Sequence, residues 1–196
     1  MKRKILDIFK SLPTLETERL FLREIKTSDL HDVHEYRKNP EVSRYLLWKP
    51  EENVNYTECY LEYIQTLYKK GKFYDFGIYL KESGKMIGTV GFTTINLKSN
   101  SASVGYVLNS SYWGLGIAEE ALRKLIDFGF NTLNFERLDA RIAEYNERSK
   151  KLALKCGFKF FEIERERKLF KDGWQNVLLY SLKNPNYCHK KAPITV

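Results

Sequence analysis

The stretch that most constrains this chain is Tyr112-Trp113-Gly114-Leu115-Gly116-Ile117-Ala118-Glu119-Glu120-Ala121-Leu122. Just before it, the run Ser103-Val104-Gly105-Tyr106-Val107-Leu108 reads as a buried strand. Just after it, Ala118, Ala121, Leu122, Leu125, Ile126, Gly129 and Leu133 recur at helical spacing. Two glycines therefore occupy a short turn that feeds a strand into a helix. A helix start leaves backbone N–H groups unpaired, its dipole favours an anion, and glycine lets that anion come close. The pattern is a phosphate cradle. A Walker-type loop would carry Lys and Ser/Thr after the last glycine, where Ile117-Ala118 stand instead. A dinucleotide fold would need a third glycine, a place Ala118 fills only loosely, and a different strand order.

With 196 residues, the chain is expected to form one domain with a substantial core. No apolar run approaches the ~20 residues of a membrane span. The basic start, Met1–Lys10, lacks the apolar core and cleavage site of a signal peptide. The expectation is a cytoplasmic protein with no membrane partner. The net charge of +8 fits nucleic acid, an anionic cofactor or an acidic partner. The basic residues are dispersed and no nucleic-acid reading motif accompanies them, so nucleic acid is expected only by way of a ribosome. Cys59, Cys156 and Cys188 show no metal or redox spacing, and Cys156 reads as a buried structural thiol. His31 and His34 could share a helix face, but no third ligand is suggested, so no metal is expected.

Along the chain, residues 1–14 read as a basic amphipathic leader and Arg19–Arg23 as a first strand. A helix capped within Thr27–Asp29 should stop at Asn39-Pro40. A second, Val54–Lys70, should place Tyr56, Tyr60, Tyr63, Ile64 and Leu67 on one side. Phe73–Leu80 and Met86–Ile95 read as hairpin arms, with Gly88 and Gly91 marking a bulge or close backbone approach. The helix after the glycine turn should run from Gly116 to Leu133, followed by a strand at Leu138–Ala143. Asn146 should cap a helix through Cys156, ended by Gly157. Phe158–Arg167 and Trp174–Leu182 read as the last strands, and 184–196 as a loose tail. This order predicts a mixed α/β sheet.

The order of elements and Trp113-Gly114-Leu115-Gly116-Ile117-Ala118 resemble the GNAT (Gcn5-related) N-acetyltransferases, whose acyl-CoA loop has the form R/Q-x-x-G-x-G/A. The likeness spans roughly residues 14–183, hence a domain over 15–183. It is closest to the RimJ/RimL-type branch that acetylates ribosomal-protein N-termini. The branch features are Leu15–Arg23, Ile87-Gly88-Thr89-Val90-Gly91-Phe92, Tyr112–Ala118, Asn146-Glu147-Arg148-Ser149, Cys156-Gly157-Phe158 and Lys171-Asp172-Gly173. The resemblance implies an α/β (α+β) fold with a mixed, mostly antiparallel central sheet of about seven strands and about four flanking helices. It also implies acetyl-CoA as donor and no metal. The pyrophosphate would lie on backbone N–H groups around Trp113, Gly114, Gly116, Ile117 and Ala118. The pantetheine would run beside Tyr106, Val107 and Leu108 like an added strand. Asn146 would hold the pantetheine or the acetyl end, and Arg148, Lys150 or Lys151 could meet the nucleotide phosphate.

Acetyl transfer needs a neutral amine, a polarised thioester and a stabilised thiolate. An α-amine, with pKa about 7.7–8.0, is already partly neutral, whereas a lysine at about 10.4 needs a stronger base. Three departures from the family stand out. Trp113 replaces the loop's opening Arg/Gln. Ala153 stands where many members carry a tyrosine general acid, leaving Ser149 as the substitute acid or as a helix-start hydroxyl. Ser103 stands where many carry a glutamate base, leaving Glu162, Glu164, Glu166 or a water relay. Tyr45, Trp48, Tyr56 and Trp174 are candidates for holding the acceptor, or are simply packing. The acceptor implied is a protein N-terminus, possibly ribosomal, or a small amine. A non-catalytic acyl-CoA-binding module is the alternative. A monomer or homodimer is expected.

Overall fold

A computed structural model describes residues 7–164 and 167–187. The chain opens with β1 (Leu15–Glu16) and β2 (Leu20–Arg23), then α1 (Leu30–Arg37), α2 (Pro40–Ser43) and α3 (Val54–Lys69). A meander of β3 (Asp75–Leu80), β4 (Met86–Asn96) and β5 (Ser101–Leu108) leads to α4 (Ile117–Asp127) and β6 (Arg137–Ala143). Then come α5 (Glu147–Lys155), β7 (Lys159–Ile163), β8 (Lys168–Phe170), β9 (Gly173–Gln175) and β10 (Val177–Lys183). Eight strands form one sheet in the order β1-β2-β3-β4-β5-β6-β10-β7, and β8–β9 form a separate ribbon. Among the described residues only β5 and β6 pair in parallel. The expected mixed, mostly antiparallel sheet is the observed one; the additions to the expected counts are short elements.

Two apolar layers cover the sheet. On one side α4 buries Ile117, Ala121, Leu122 and Leu125 against Phe76, Ile78, Val90, Phe92 and Val104. On the other, α1 and α3 bury Val33, Leu61, Ile64 and Tyr68 against Tyr79 and Met86. Each fully buried side chain of this size contributes about 1.5–3 kcal/mol. The core reaches past the expected domain edges. Phe9 is fully buried, its ring 4.6 Å from Tyr74 and 6.3 Å from Phe92. Asn184 is buried, its amide donating to the carbonyl of Phe135 at 3.0 Å.

Several elements differ from their sequence reading. Asn39-Pro40 ends α1 but also starts α2: Asn39 Oδ1 accepts from the Glu41 N–H at 2.9 Å, and proline at a first helical position gives up no hydrogen bond. On α3 the buried stripe is Thr57, Leu61, Ile64 and Tyr68, while Tyr56 and Tyr63 are exposed. The helix after the glycine turn stays α only to Asp127 and widens into a π turn over Phe128–Thr132, closed by Leu133 N–H to Phe128 O at 3.0 Å. That turn presses Phe128 against Phe76 and Phe92 and seats Gly129 on the Phe92 ring. Trp174–Leu182 is broken at Asn176, whose amide donates to Glu144 Oε2 at 3.0 Å. The strand expected over Phe158–Arg167 ends at Ile163, and residues 165–166 lie outside the described residues.

One feature of the sheet places the site. β5 and β6 pair only from Ser101 opposite Arg137 to Val104 opposite Ala140. Beyond that, β6 stays with β10 through Ala143 opposite Val177, while β5 stays with β4 through Leu108 opposite Gly88. The two central strands part like a wedge. A register break at Ile78/Tyr79, opposite Gly88 and Met86, adds local twist on the side of the parting, and a second at Phe92/Thr94 falls opposite the paired stretch. Gly88 is required there, because a Cβ would collide with the Val107 carbonyl oxygen.

Candidate active site

The glycine turn hangs from the end of β5. Asn109 Oδ1 accepts from the Ser111 N–H at 3.1 Å, and the Trp113 indole N–H donates to the Leu108 carbonyl at 2.9 Å. Gly116, at φ 75°, is the first residue before α4, in the left-handed region where a side chain would be strained. Its position leaves the first N–H groups of α4 without helical partners.

Arg19, from the β1–β2 corner, braces this turn from behind. Its Nη1 donates to the Leu115 carbonyl at 3.0 Å and its Nε to Glu120 Oε2 at 2.7 Å. Glu120 Oε1 accepts from the Arg19 N–H at 2.9 Å and the Thr17 hydroxyl at 2.5 Å. Burial acts to raise the Glu120 carboxyl, but these hydrogen bonds outweigh it and hold the group below the usual range.

The far wall is the start of α5. Asn146 Oδ1 accepts from the Ser149 N–H at 3.1 Å, the expected cap. The Ser149 hydroxyl is paired not with backbone but with the Tyr106 hydroxyl, 2.6 Å away. Burial pushes Tyr106 up to about 12, against a smaller lowering effect of Ser149. The Arg148 guanidinium lies 4.2 Å over the Trp113 ring, so the tryptophan that replaces the family's Arg/Gln carries a cation on its face.

Where β5 and β6 part, a cleft of about 620 Å³ opens. Tyr106, Val107, Leu108, Trp113, Gly114, Gly116, Ile117, Ala118, Asn146, Arg148, Ser149 and Lys151 all line it. Glu41, Arg44, Tyr45 and Tyr145 line it as well. Of the aromatic candidates for the acceptor, Tyr45 lines the cleft; Trp48, Tyr56 and Trp174 do not. Trp48 instead stacks on the buried Arg37 guanidinium at 4.6 Å. Ala153, where a tyrosine acid would stand, is fully buried.

Neither described candidate base reaches the cleft. Glu164 is ion-paired to Arg141, whose Nη1 donates to Ser103 Oγ at 2.6 Å. The place of the family glutamate is thus filled by a serine–arginine–glutamate chain. Glu162 is exposed on β7, and Glu166 lies outside the described residues. Of the carboxylates that do line the cleft, Glu119 pairs with Arg123 at 2.9 Å and Glu147 pairs with Lys150. Among the described residues no group of His, Cys, Asp and Glu is arranged to hold a metal; His34 Nδ1 lies 2.9 Å from the Thr57 hydroxyl.

The tip of the β8–β9 ribbon is tied to residues 43–48, of which Arg44 lines the cleft. Asp172 pairs with Arg44 Nε at 2.6 Å. Lys171 Nζ donates to the Trp48 carbonyl at 2.9 Å and to the Ser43 carbonyl. Sequence reasoning missed Arg19, Tyr145 and the hydroxyl of Tyr106. Arg19 and the Tyr106 hydroxyl act across a distance in sequence that no periodicity records.

The family model described as "Acetyltransferase (GNAT) domain" matches residues 19–159. The chain is 34% identical to the uncharacterised N-acetyltransferase p20 of Bacillus licheniformis, over 90% of this chain and 99% of that protein. It is 25% identical to the [ribosomal protein uS5]-alanine N-acetyltransferase of Escherichia coli, over 88% and 92%. The crystal structure of ribosomal-protein-S5-alanine acetyltransferase from Vibrio fischeri superposes with a TM-score of 0.75 at 26% identity, covering 90% of this chain and 99% of that one. The chain belongs to the GNAT family. It is an acetyl-CoA-dependent N-acetyltransferase.

Proposed function

We propose that this acetyltransferase acts on a protein N-terminal α-amine, with acetyl-CoA held in the cleft between β5 and β6. The observation that carries this is the convergence there of a glycine turn at a helix start, an unpaired strand edge and the capped start of α5. The pyrophosphate rests on the N–H groups of Gly114, Gly116, Ile117 and Ala118. The pantetheine lies along residues 106–108 as a missing strand, with Asn146 at its acetyl end. Arg148 and Lys151 face the nucleotide phosphate. The acceptor nitrogen attacks the thioester carbon, the C–S bond breaks, and Ser149 donates a hydrogen bond to the departing thiolate. The relatives named as ribosomal-protein-alanine acetyltransferases support an N-terminal acceptor. So does the site itself: neither Glu162 nor Glu164 lines the cleft, and an α-amine near pKa 8 needs a base least.

A screen of thiol release from acetyl-CoA against α-amines, lysine side chains and polyamines tests this reading. Turnover with peptide N-termini is expected. A second reading, a small polycationic amine, rests on Glu41, Glu147, Tyr45 and Tyr145 at the cleft's edge, and preference for polyamines would select it. Gly116→Asp brings a carboxylate to the cradle and should weaken acetyl-CoA binding at least tenfold, about 1.4 kcal/mol. Unchanged affinity by calorimetry would remove the loop from the site.

A further inference from the structure

We propose that Tyr106 is a positioning residue for the transfer step: its hydroxyl donates to Ser149 Oγ, and this turns the serine's own O–H into the cleft. The inference rests on the reading of Ser149 given above and deepens it. Three observations carry it. The Tyr106 and Ser149 hydroxyl oxygens are 2.6 Å apart, the shorter of the two contacts the phenol makes with residue 149; the other, to the Ser149 carbonyl, is 3.2 Å. That carbonyl lies in the first turn of α5, where it serves the helical ladder. The Ser149 N–H is already taken by Asn146 Oδ1 at 3.1 Å, so the backbone cannot move without breaking the cap. A serine hydroxyl rotates freely unless a neighbour fixes it. With its oxygen accepting from Tyr106, its one proton points away from the phenol, on the cleft side that both residues line.

Burial keeps the phenol protonated across the working pH range, so it remains a donor throughout. No proton needs to leave Tyr106. The nitrogen–carbon bond forms, the carbon–sulfur bond breaks with its electron pair going to sulfur, and the acceptor's proton goes to solvent. The thiolate, held by the Ser149 O–H, takes a proton from solvent on release. Tyr106 thereby preorganises a donor for the charge that develops on sulfur.

The test is a double-mutant cycle on Tyr106→Phe and Ser149→Ala, with the best acceptor from the screen, or acetyl-CoA hydrolysis as the basal reaction. Tyr106→Phe should lower kcat about tenfold and leave the KM for acetyl-CoA within twofold. In the Ser149→Ala background it should cost nothing further. Ser149→Thr, which keeps the hydroxyl, should retain the sensitivity to Tyr106→Phe. Full kcat in Tyr106→Phe, or an undiminished tenfold loss in the Ser149→Ala background, would overturn the inference while leaving the acetyl-CoA site standing. Full activity in Ser149→Ala would overturn the role of Ser149 and this inference with it. Circular dichroism and the thermal midpoint separate these outcomes from unfolding, and a midpoint loss matching the kcat loss counts against the inference.

Discussion

At the scale of single residues, Arg19 does the most with the fewest bonds. It ties the β1–β2 corner to Leu115, just before the left-handed Gly116, and to Glu120, one helical turn after it. Arg19→Gln should therefore raise the KM for acetyl-CoA several-fold with kcat nearly unchanged, because the cradle loosens while the chemistry does not. Glu120→Gln should cost roughly 0.5–1 kcal/mol at pH 7, a small figure because the pair is partly exposed. The pH dependence follows from the lowered carboxyl. A depressed native pKa stabilises above the unfolded value and loses that contribution as pH falls through the native value. The gap between wild type and Glu120→Gln should be full at pH 7 and close on acidification below about 4.5. Chemical denaturation at several pH values reads it. Asp75 works the other way. Burial pushes its carboxyl up to about 6. The folded protein then prefers the proton, and stability falls as pH rises from about 4 to 6. Asp75→Asn should flatten that limb.

Some of these residues were legible in the chain. The glycines, Asn146 and Ser149 announce themselves, because capping and left-handed turns are local and residue-specific. Tyr106 was legible only as backbone. Its phenol meets Ser149 from another element, and the strand pattern gives a face but no partner. Glu162 and Glu164 show the opposite failure: the serine at position 103 left them as candidate bases, yet Arg141 had already claimed Glu164.

At the scale of elements, the β8–β9 ribbon is the piece that function should feel. Its tip is tied to one segment far away in the chain, residues 43–48, through Asp172–Arg44 and the two carbonyls that hold Lys171. Asp172→Asn should raise the KM for the acceptor several-fold and leave acetyl-CoA affinity within twofold, because the bridge holds residues 43–48 and makes none of these bonds to the glycine turn. Steady-state kinetics in both substrates separate the two. The ribbon was also the least legible element. Lys171-Asp172-Gly173 stood out through the family resemblance, but the break at Asn176, where the side chain bonds Glu144, has no local signature. Proline at Pro40 misled in a more general way: the same ring that stops one helix is well suited to start the next. The π turn at Phe128 likewise answers to the aromatic contacts beneath it rather than to helical spacing.

At the scale of the molecule, the order of elements was readable because each strand and helix carries its own period, and the order alone restricts how a mixed sheet can be wound. The parting of β5 from β6 was not readable. There β6 keeps its place in the sheet through its other edge, where β10 pairs with it along residues 137–143 opposite 177–183, while β5 follows β4. A ligand filling that wedge links two halves of the sheet. At a hundred times its dissociation constant, acetyl-CoA adds about 2.7 kcal/mol. For a chain of this size each kcal/mol is worth roughly 2–4 °C. The melting midpoint should rise by about 5–10 °C, and a shift of the same size with coenzyme A but none with adenosine alone would locate the gain in the pantetheine and phosphates.

Trp113 offers a last consequence, an optical one. Its indole is fixed by one hydrogen bond to Leu108 and covered by the Arg148 guanidinium, and both residues line the cleft proposed for acetyl-CoA. A nucleotide phosphate that draws Arg148 away would uncover the ring and change its emission. With Trp48→Phe and Trp174→Phe removing the other two indoles, Trp113 becomes a single fluorophore whose signal reports donor arrival and departure in real time. The substitution that cost the loop its family cation has left a built-in gauge of cofactor occupancy.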